Sequence, residues 1–133
     1  MTVLSKVGVN LKMIVYHGTS EKNAVSILKN GFSLDAFYCG SLGRGIYLAR
    51  DKERCREFGE KILEVEIKDC SVLNVDFKSI SSHFQPLLDK DIEFMNKFKD
   101  YTESKGYKAL ELDNLRDVVV YDLSCIQSIK CDT

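Results

Sequence analysis

His17 is one of two histidines in the chain, and it stands between the apolar run Met13-Ile14-Val15-Tyr16 and the pair Gly18-Thr19. A neutral imidazole donates to a hydroxyl or accepts from one, and an adjacent glycine lets another group approach the main chain without meeting a Cβ. Asp117 precedes the apolar run Val118-Val119-Val120. A carboxylate there accepts from a hydroxyl and favours positive charge developing beside it. Tyr47 and Phe58 are aromatics eleven residues apart, with a strand-to-helix turn between them. Each of these residues also has a plainer reading. His17 could be a satisfied histidine at a strand end, Tyr47 and Phe58 core aromatics, and Asp117 a turn-closing residue.

The elements that must hold these side chains can be read from pattern. Met13 to Tyr16 is a β-prone run that ends at His17-Gly18-Thr19. Ser20, with Glu21 nearby, starts a helix whose stripe is Ala24, Ile27 and Leu28 and whose stop is Gly31. Phe32 to Arg44 reads as a loop, and Gly45 to Ala49 as a short strand. Asp51 can cap a helix running to about Phe58, with Gly59 as its stop. Ile62 to Ile67 alternates apolar and acidic, as a half-buried strand does, and Val72 to Val75 is another short strand. From about Leu87 to Ser104, Leu88, Ile92, Met95, Phe98 and Tyr101 recur at helical spacing, ahead of Gly106. Ala109–Leu112, Asp117–Tyr121 and Ile126–Ile129 close the chain as three strands. The sum is one α+β domain spanning residues 1–133.

Composition excludes more than it assigns. The chain has 44% hydrophobic and 29% charged residues, as a globular domain does, and a net charge of −1 that gives no electrostatic argument for nucleic acid. Five cysteines without a CxxC pair, and only two histidines, do not assemble a zinc spacing, so free thiols and no metal are expected. Met1 to Lys12 does not read as a secretory signal, and no apolar run approaches a membrane span. The expected location is cytoplasmic, with no membrane partner.

Three ordered segments resemble the poly(ADP-ribose) polymerase-like, His-Tyr-acid family of ADP-ribosyltransferases. Tyr16-His17-Gly18-Thr19, followed by Asn23, Ile27, Leu28 and Gly31-Phe32, is similar to the family's strand ending in His-Gly-Thr/Ser and the helix after it. Gly43-Arg44-Gly45-Ile46-Tyr47-Leu48-Ala49 is similar to its Gly-x-Gly-Ile-Tyr-Phe-Ala strand. Asp117-Val118-Val119-Val120-Tyr121-Asp122, ahead of Ile126, is similar to its last motif, an acid followed by an apolar strand. The resemblance implies the ADP-ribosyltransferase fold, a split and mainly antiparallel β-core with flanking helices. It also implies a small prokaryotic, viral or toxin-like member of the family.

The resemblance further implies a chemistry. NAD⁺ would be the substrate, cleaved at the nicotinamide–ribose bond as the ribose gains oxocarbenium character. Tyr47 and Phe58 would sandwich the nicotinamide ring. Gly18 would grip its carboxamide through main-chain N–H and C=O. Cys55 stands where family members often have a serine, and a thiol is the weaker donor; it reads equally as a small buried hydrophobe. His17 would bond the adenine-proximal ribose, with Thr19 and Asn23 on the adenosine side. Thr19 also reads as a turn residue and Asn23 as an exposed helix residue. Asp117 stands where the family usually has glutamate, one methylene or roughly 1.5 Å longer. Glu111, six positions earlier, is the alternative acid.

The acceptor, protein or nucleic acid, is not named by the residues; Phe32–Arg44 and Asp113-Asn114-Leu115-Arg116 are the segments that would select it. A core of 133 residues has little room for polymerising machinery, so mono-ADP-ribosylation is expected. An antidote protein is implied if the chain acts as a toxin. Two competing functions stay open. One is a binding module for NAD⁺ or ADP-ribose with weak or no activity, suggested by Asp117 and Cys55. The other is an RNA 2′-phosphotransferase, which would need arginines for the phosphate beyond Arg44, Arg50, Arg54, Arg56 and Arg116.

Overall fold

A computed structural model describes residues 11–34, 39–40, 43–76, 92–113 and 117–132. Nine strands and three α-helices are found among them. The strands are β1 (Lys12–Thr19), β2 (Cys39–Gly40), β3 (Gly43–Arg44), β4 (Ile46–Ala49), β5 (Lys61–Lys68), β6 (Val72–Val75), β7 (Ala109–Leu112), β8 (Asp117–Val120) and β9 (Ile126–Cys131). The helices are α1 (Glu21–Asn30), α2 (Lys52–Cys55) and α3 (Ile92–Ser104). Seven strands form one sheet in the order β6-β7-β8-β4-β1-β5-β9, and β2 pairs with β3 apart from it. Only β6 and β7 run parallel; the other pairs in the sheet are antiparallel. The architecture is α+β.

Alternation along the strands sorts the core into two faces. Met13 and Val15 of β1, Ile46 and Leu48 of β4, Val118 and Val120 of β8 and Ala109 of β7 turn to one face, where Ala24 and Ile27 of α1 and the following Phe32 cover them. Leu110, Leu112 and Val119 turn to the other, where Phe98 of α3 packs, with Tyr47 and Tyr101 partly buried alongside. On that second face α2 lies beside β1 and contributes Cys55 to a cluster with Ala49 and Ile62. Gly45 is needed where β4 begins, since a Cβ there would come within 2.7 Å of Val119 Cγ1 and 2.8 Å of the Val120 carbonyl oxygen.

Helix α1 forms where its sequence suggests, but of the expected stripe only Ala24 and Ile27 are buried; Leu28 is 43% exposed. The Ser20 hydroxyl accepts from the Asn23 N–H at 3.2 Å, an N-cap that stabilises a helix by about 1 kcal/mol. Gly31 ends it at φ 82°, a left-handed conformation that suits glycine, and its N–H donates to the Ile27 carbonyl at 2.7 Å. Two expectations are refined. The loop expected over Phe32–Arg44 contains the β2–β3 hairpin, which touches α3. The helix expected from Asp51 to Phe58 is α for one turn and then tightens to a 3-10 turn over Arg56–Phe58. Helix α3 is described from Ile92, so the earlier part of the helix expected from Leu87 lies outside the described residues.

One junction in the sheet is thin. Strand β1 pairs with β5 along its whole length but with β4 at a single position, Tyr16 opposite Ala49. The sheet is thus two ladders, β6-β7-β8-β4 and β1-β5-β9, meeting at a seam.

Candidate active site

His17, Tyr47 and Asp117, expected to face one cleft, border the seam, but strand register puts His17 on the opposite face of the sheet from the other two. The two margins of the seam are β4, which carries Tyr47, and β1, which carries His17 and Gly18; Asp117 lies one strand further, on β8. Pairing of β4 with β8 sets Tyr47 opposite Val119 and Ala49 opposite Asp117. Tyr47 and Asp117 therefore leave the same face on adjacent strands, as diagonal neighbours. By alternation His17 belongs with Val15 on the other face. There its ring meets Phe32 edge-on, with centroids 5.1 Å apart at 86°.

His17 nevertheless reaches across the seam. Its Nδ1 lies 3.1 Å from the Tyr47 carbonyl oxygen. A carbonyl only accepts, so Nδ1 carries the proton and Nε2 keeps its lone pair. His17 is 8% exposed, and burial pushes its pKa below the usual histidine range, against the opposing pull of the Tyr47 carbonyl. The imidazole is neutral near pH 7, bridging two strands whose own ladder consists of one pair.

Helix α2 closes the β1 side of the seam. The Cys55 thiol donates to the Tyr16 carbonyl oxygen at 3.3 Å, and the residue is 2% exposed. Burial raises the thiol's pKa. The Cys55 carbonyl oxygen lies where a Cβ on Gly18 would stand, 1.9 Å from that position, and Gly59 presses similarly close on the Thr19 main chain. Gly18 thus has a packing reason of its own, independent of any ligand. Thr19 is buried at 7% exposure, Asn23 is exposed on the first turn of α1, and Phe58 is the most exposed large apolar side chain named among the described residues, at 68%. Tyr47 is half-buried.

The two candidate acids occupy different surroundings. Asp117 is half-buried, and its cross-strand neighbours, Ala49 and Leu112, are both apolar. Burial raises its pKa, opposed by the charge of Arg54 on α2, whose Nη2 donates to Oδ2 at 3.0 Å. Glu111 sits opposite Val118 in the β7–β8 pair and so leaves the other face. It is 4% exposed. It accepts from Arg50 Nε, from Arg50 Nη2 at 3.1 Å and from Asn74 Nδ2 at 2.9 Å. The pairing in turn raises the Arg50 pKa. Arg50, Asn74, Glu111 and Asp113 line a polar concavity of about 250 Å³ there. Glu111 is committed to tying β4, β6 and β7 together, away from Tyr47.

Sequence reasoning did not single out Arg54 as a partner of the acid. Nothing local marks it, because Asp117 is 63 residues away and is brought to it only by the β4–β8 register. Of the segment expected to select the acceptor near the acid, Asn114, Leu115 and Arg116 lie outside the described residues, as does most of Asp35 to Leu42. Of the cysteines whose side chains are described, Cys55, Cys70 and Cys125 are free thiols. Among the described residues no group of three or more His, Cys, Asp or Glu side chains could hold a metal ion, and no helix is long and apolar enough to cross a membrane.

Comparison with known proteins bears on the same segment. Residues 4–66 match the family model of the poly(ADP-ribose) polymerase catalytic domain. The match takes in β1, α1, β4, α2 and most of β5, with His17 and Tyr47, and stops short of Asp117. It supports a poly(ADP-ribose) polymerase-like relationship, and with it ADP-ribosyltransferase-like activity at the level of the family, whose substrate is NAD⁺. Among solved structures, the crystal structure of an anti-CRISPR protein aligns over 92% of this chain and 97% of that one, with 13% identity and a TM-score of 0.48. No curated protein matches.

Proposed function

We propose that the chain is a mono-ADP-ribosyltransferase with the ADP-ribosyltransferase fold, cleaving NAD⁺ at the nicotinamide–ribose bond and passing ADP-ribose to a macromolecular acceptor. The observation that carries the reading is the grouping at the seam. Tyr47 and Asp117 share a face of paired strands, and a neutral His17 is hydrogen-bonded to the Tyr47 main chain. In the reaction the C1′–N bond breaks with its electron pair going to the nicotinamide ring. An acceptor atom then forms the new bond at C1′ and gives up a proton.

In this reading each side chain has one task. Tyr47, half-buried, and Phe58, exposed, wall the ring. His17 offers Nε2 as an acceptor for a ribose hydroxyl while Nδ1 stays on the Tyr47 carbonyl. Gly18 supplies main-chain contacts to the carboxamide. Cys55 adds little, because its thiol is engaged with the Tyr16 carbonyl. Asp117 accepts from the ribose 2′-hydroxyl and stabilises positive charge at the reacting carbon. Thr19 and Asn23 stand toward the adenosine end.

The test is nicotinamide release from NAD⁺, coupled to mass spectrometry of labelled acceptors in a lysate. Tyr47→Ala is expected to weaken NAD⁺ binding by about 1–3 kcal/mol, as for a base stacked on an aromatic. Asp117→Asn is expected to cut turnover by roughly 10²–10³-fold while NAD⁺ affinity changes little. A wild-type protein that binds NAD⁺ yet releases no nicotinamide with any acceptor is a binding module. One that does not bind NAD⁺ overturns the reading altogether.

A further inference from the structure

We propose that Lys52 and Asp132 form a latch that straps helix α2 across the seam, which makes them positioning residues for the wall that α2 gives the ring slot. The latch stands without the enzyme reading, whereas its bearing on the slot rests on that reading. The two ladders share the single main-chain pair Tyr16–Ala49. The chain leaves β4 at Ala49 and enters α2 at Lys52, so α2 grows out of one ladder. Yet Cys55 of α2 is fastened to the other, its thiol donating to the Tyr16 carbonyl and its own carbonyl packing against Gly18.

Lys52 carries the attachment to the far side of that second ladder. Its Nζ lies 2.7 Å from Asp132 Oδ2. Asp132 directly follows β9, and its N–H donates to the Ile62 carbonyl of β5 at 2.9 Å. The same ammonium stands 5.6 Å from the centroid of the Tyr16 ring on β1, within cation–π range. The first residue of α2 is thus tied to all three strands of the ladder it lies on.

An exposed Lys–Asp pair ordinarily contributes little, because water screens it and two flexible side chains must be held still. This pair differs on both counts. Lys52 is 39% exposed, but the Asp132 Oδ2 atom is shut off from solvent. The Asp132 main chain is already fixed by its bond to Ile62. Lys130 also bears on Asp132 by charge, but its ammonium is paired with Glu64 at 3.1 Å. Without Lys52, the carboxylate oxygen is stranded where water does not reach it, which favours lifting of α2.

Two buried thiols supply the readout. Cys55 is 2% exposed on α2 and Cys125 is 0% exposed in the core that α1 covers, so a thiol reagent reaches Cys55 when α2 lifts and Cys125 only on wider opening. The experiment uses the full chain with Lys52→Met, Asp132→Asn, the two combined, and Lys52→Arg, each checked for a cooperative melt. Iodoacetamide labelling is followed at each cysteine by mass spectrometry. Each charge-removing single variant is expected to label Cys55 about three- to fivefold faster, with Cys125 unchanged. The double variant should be no faster than the quicker single one, and Lys52→Arg should stay near wild type. In nicotinamide release, KM for NAD⁺ should rise about threefold with kcat within about twofold, since the ligand must then order α2 on binding. An unchanged Cys55 rate in folded single variants overturns the latch. So does equal acceleration at Cys125, which would report global loosening, or a double variant that multiplies the two single effects. Faster Cys55 labelling with an unmoved KM overturns the positioning role. If the wild type releases no nicotinamide, the enzyme reading fails and the bearing on the slot fails with it, while Cys55 labelling still decides the latch.

Discussion

Glu111→Gln separates the two acids by two independent readouts. Glu111 is 4% exposed and accepts three hydrogen bonds, two from Arg50 and one from Asn74. Removing one member of a buried ion pair costs about 3–5 kcal/mol when the other charge is left stranded. Two features reduce that here. The Arg50 side chain is 32% exposed, so water can solvate part of its charge, and glutamine retains a carbonyl acceptor for one of the three donors. The expected loss is about 2–3 kcal/mol. For a chain of this length that corresponds to a drop in Tm of roughly 6–15 °C. Urea unfolding followed by circular dichroism measures it. Turnover per folded molecule should stay within about threefold of wild type, because Glu111 leaves the sheet on the face away from Tyr47 and Asp117. A Glu111→Gln protein that melts like wild type but has lost nicotinamide release would refute the reasoning. It would make Glu111 the acid and its arginine pair a functional contact.

Gly18→Ala places a methyl 1.9 Å from the main-chain oxygen of Cys55, where no flexible side chain can yield, so a loss of about 3 kcal/mol or more is expected in the same urea assay; near wild-type stability would mean that α2 can lift away from β1. His17 has a folded-state pKa below its unfolded value of 6.5, so its contribution to stability is present above about pH 6.5 and is lost as pH falls through the lower folded value. Melts from pH 8 to pH 5 should show a decline over that window that His17→Gln removes, and an identical decline in the variant would assign it to other groups.

The strands and helices were largely legible because their periodicities are local. The stripe of Ala24 and Ile27, the alternation over Ile62–Ile67 and the run Val118–Val120 each say which face is buried without knowledge of a partner. Boundaries were less so: β1 continues through His17-Gly18-Thr19, because β5 pairs with it out to Lys61. The hairpin at Cys39–Gly40 and Gly43–Arg44 escaped because strands of two residues carry no period. At the site, residue types were readable but their relations were not. That Tyr47 and Asp117 share a face while Glu111 does not is a matter of register between β4, β8 and β7, which one strand's sequence cannot fix. The pairs Arg50–Glu111 and Arg54–Asp117 span 61 and 63 residues and were invisible for the same reason. Gly18 carried a signal of close approach, but what approaches in the structure is the main chain of Cys55; Gly59, read only as a helix stop, lies as close to the Thr19 main chain.

Where β1 and β4 share only the pair Tyr16–Ala49, the sheet has an edge in its interior. An edge strand offers main-chain donors and acceptors to whatever can pair with them, and proteins ordinarily cover or blunt such margins. This one is answered partly by side chains, with the His17 imidazole on the Tyr47 carbonyl and the Cys55 thiol on the Tyr16 carbonyl. A primary carboxamide is the smallest molecule that mimics a peptide unit, with one acceptor and an N–H donor in a plane. On the proposed function, a nicotinamide would sit where sheet formation stops short, and a ligand seated there would act as a one-residue strand. Simple amides such as benzamide should share that preference, competing for the gap by main-chain geometry rather than by charge.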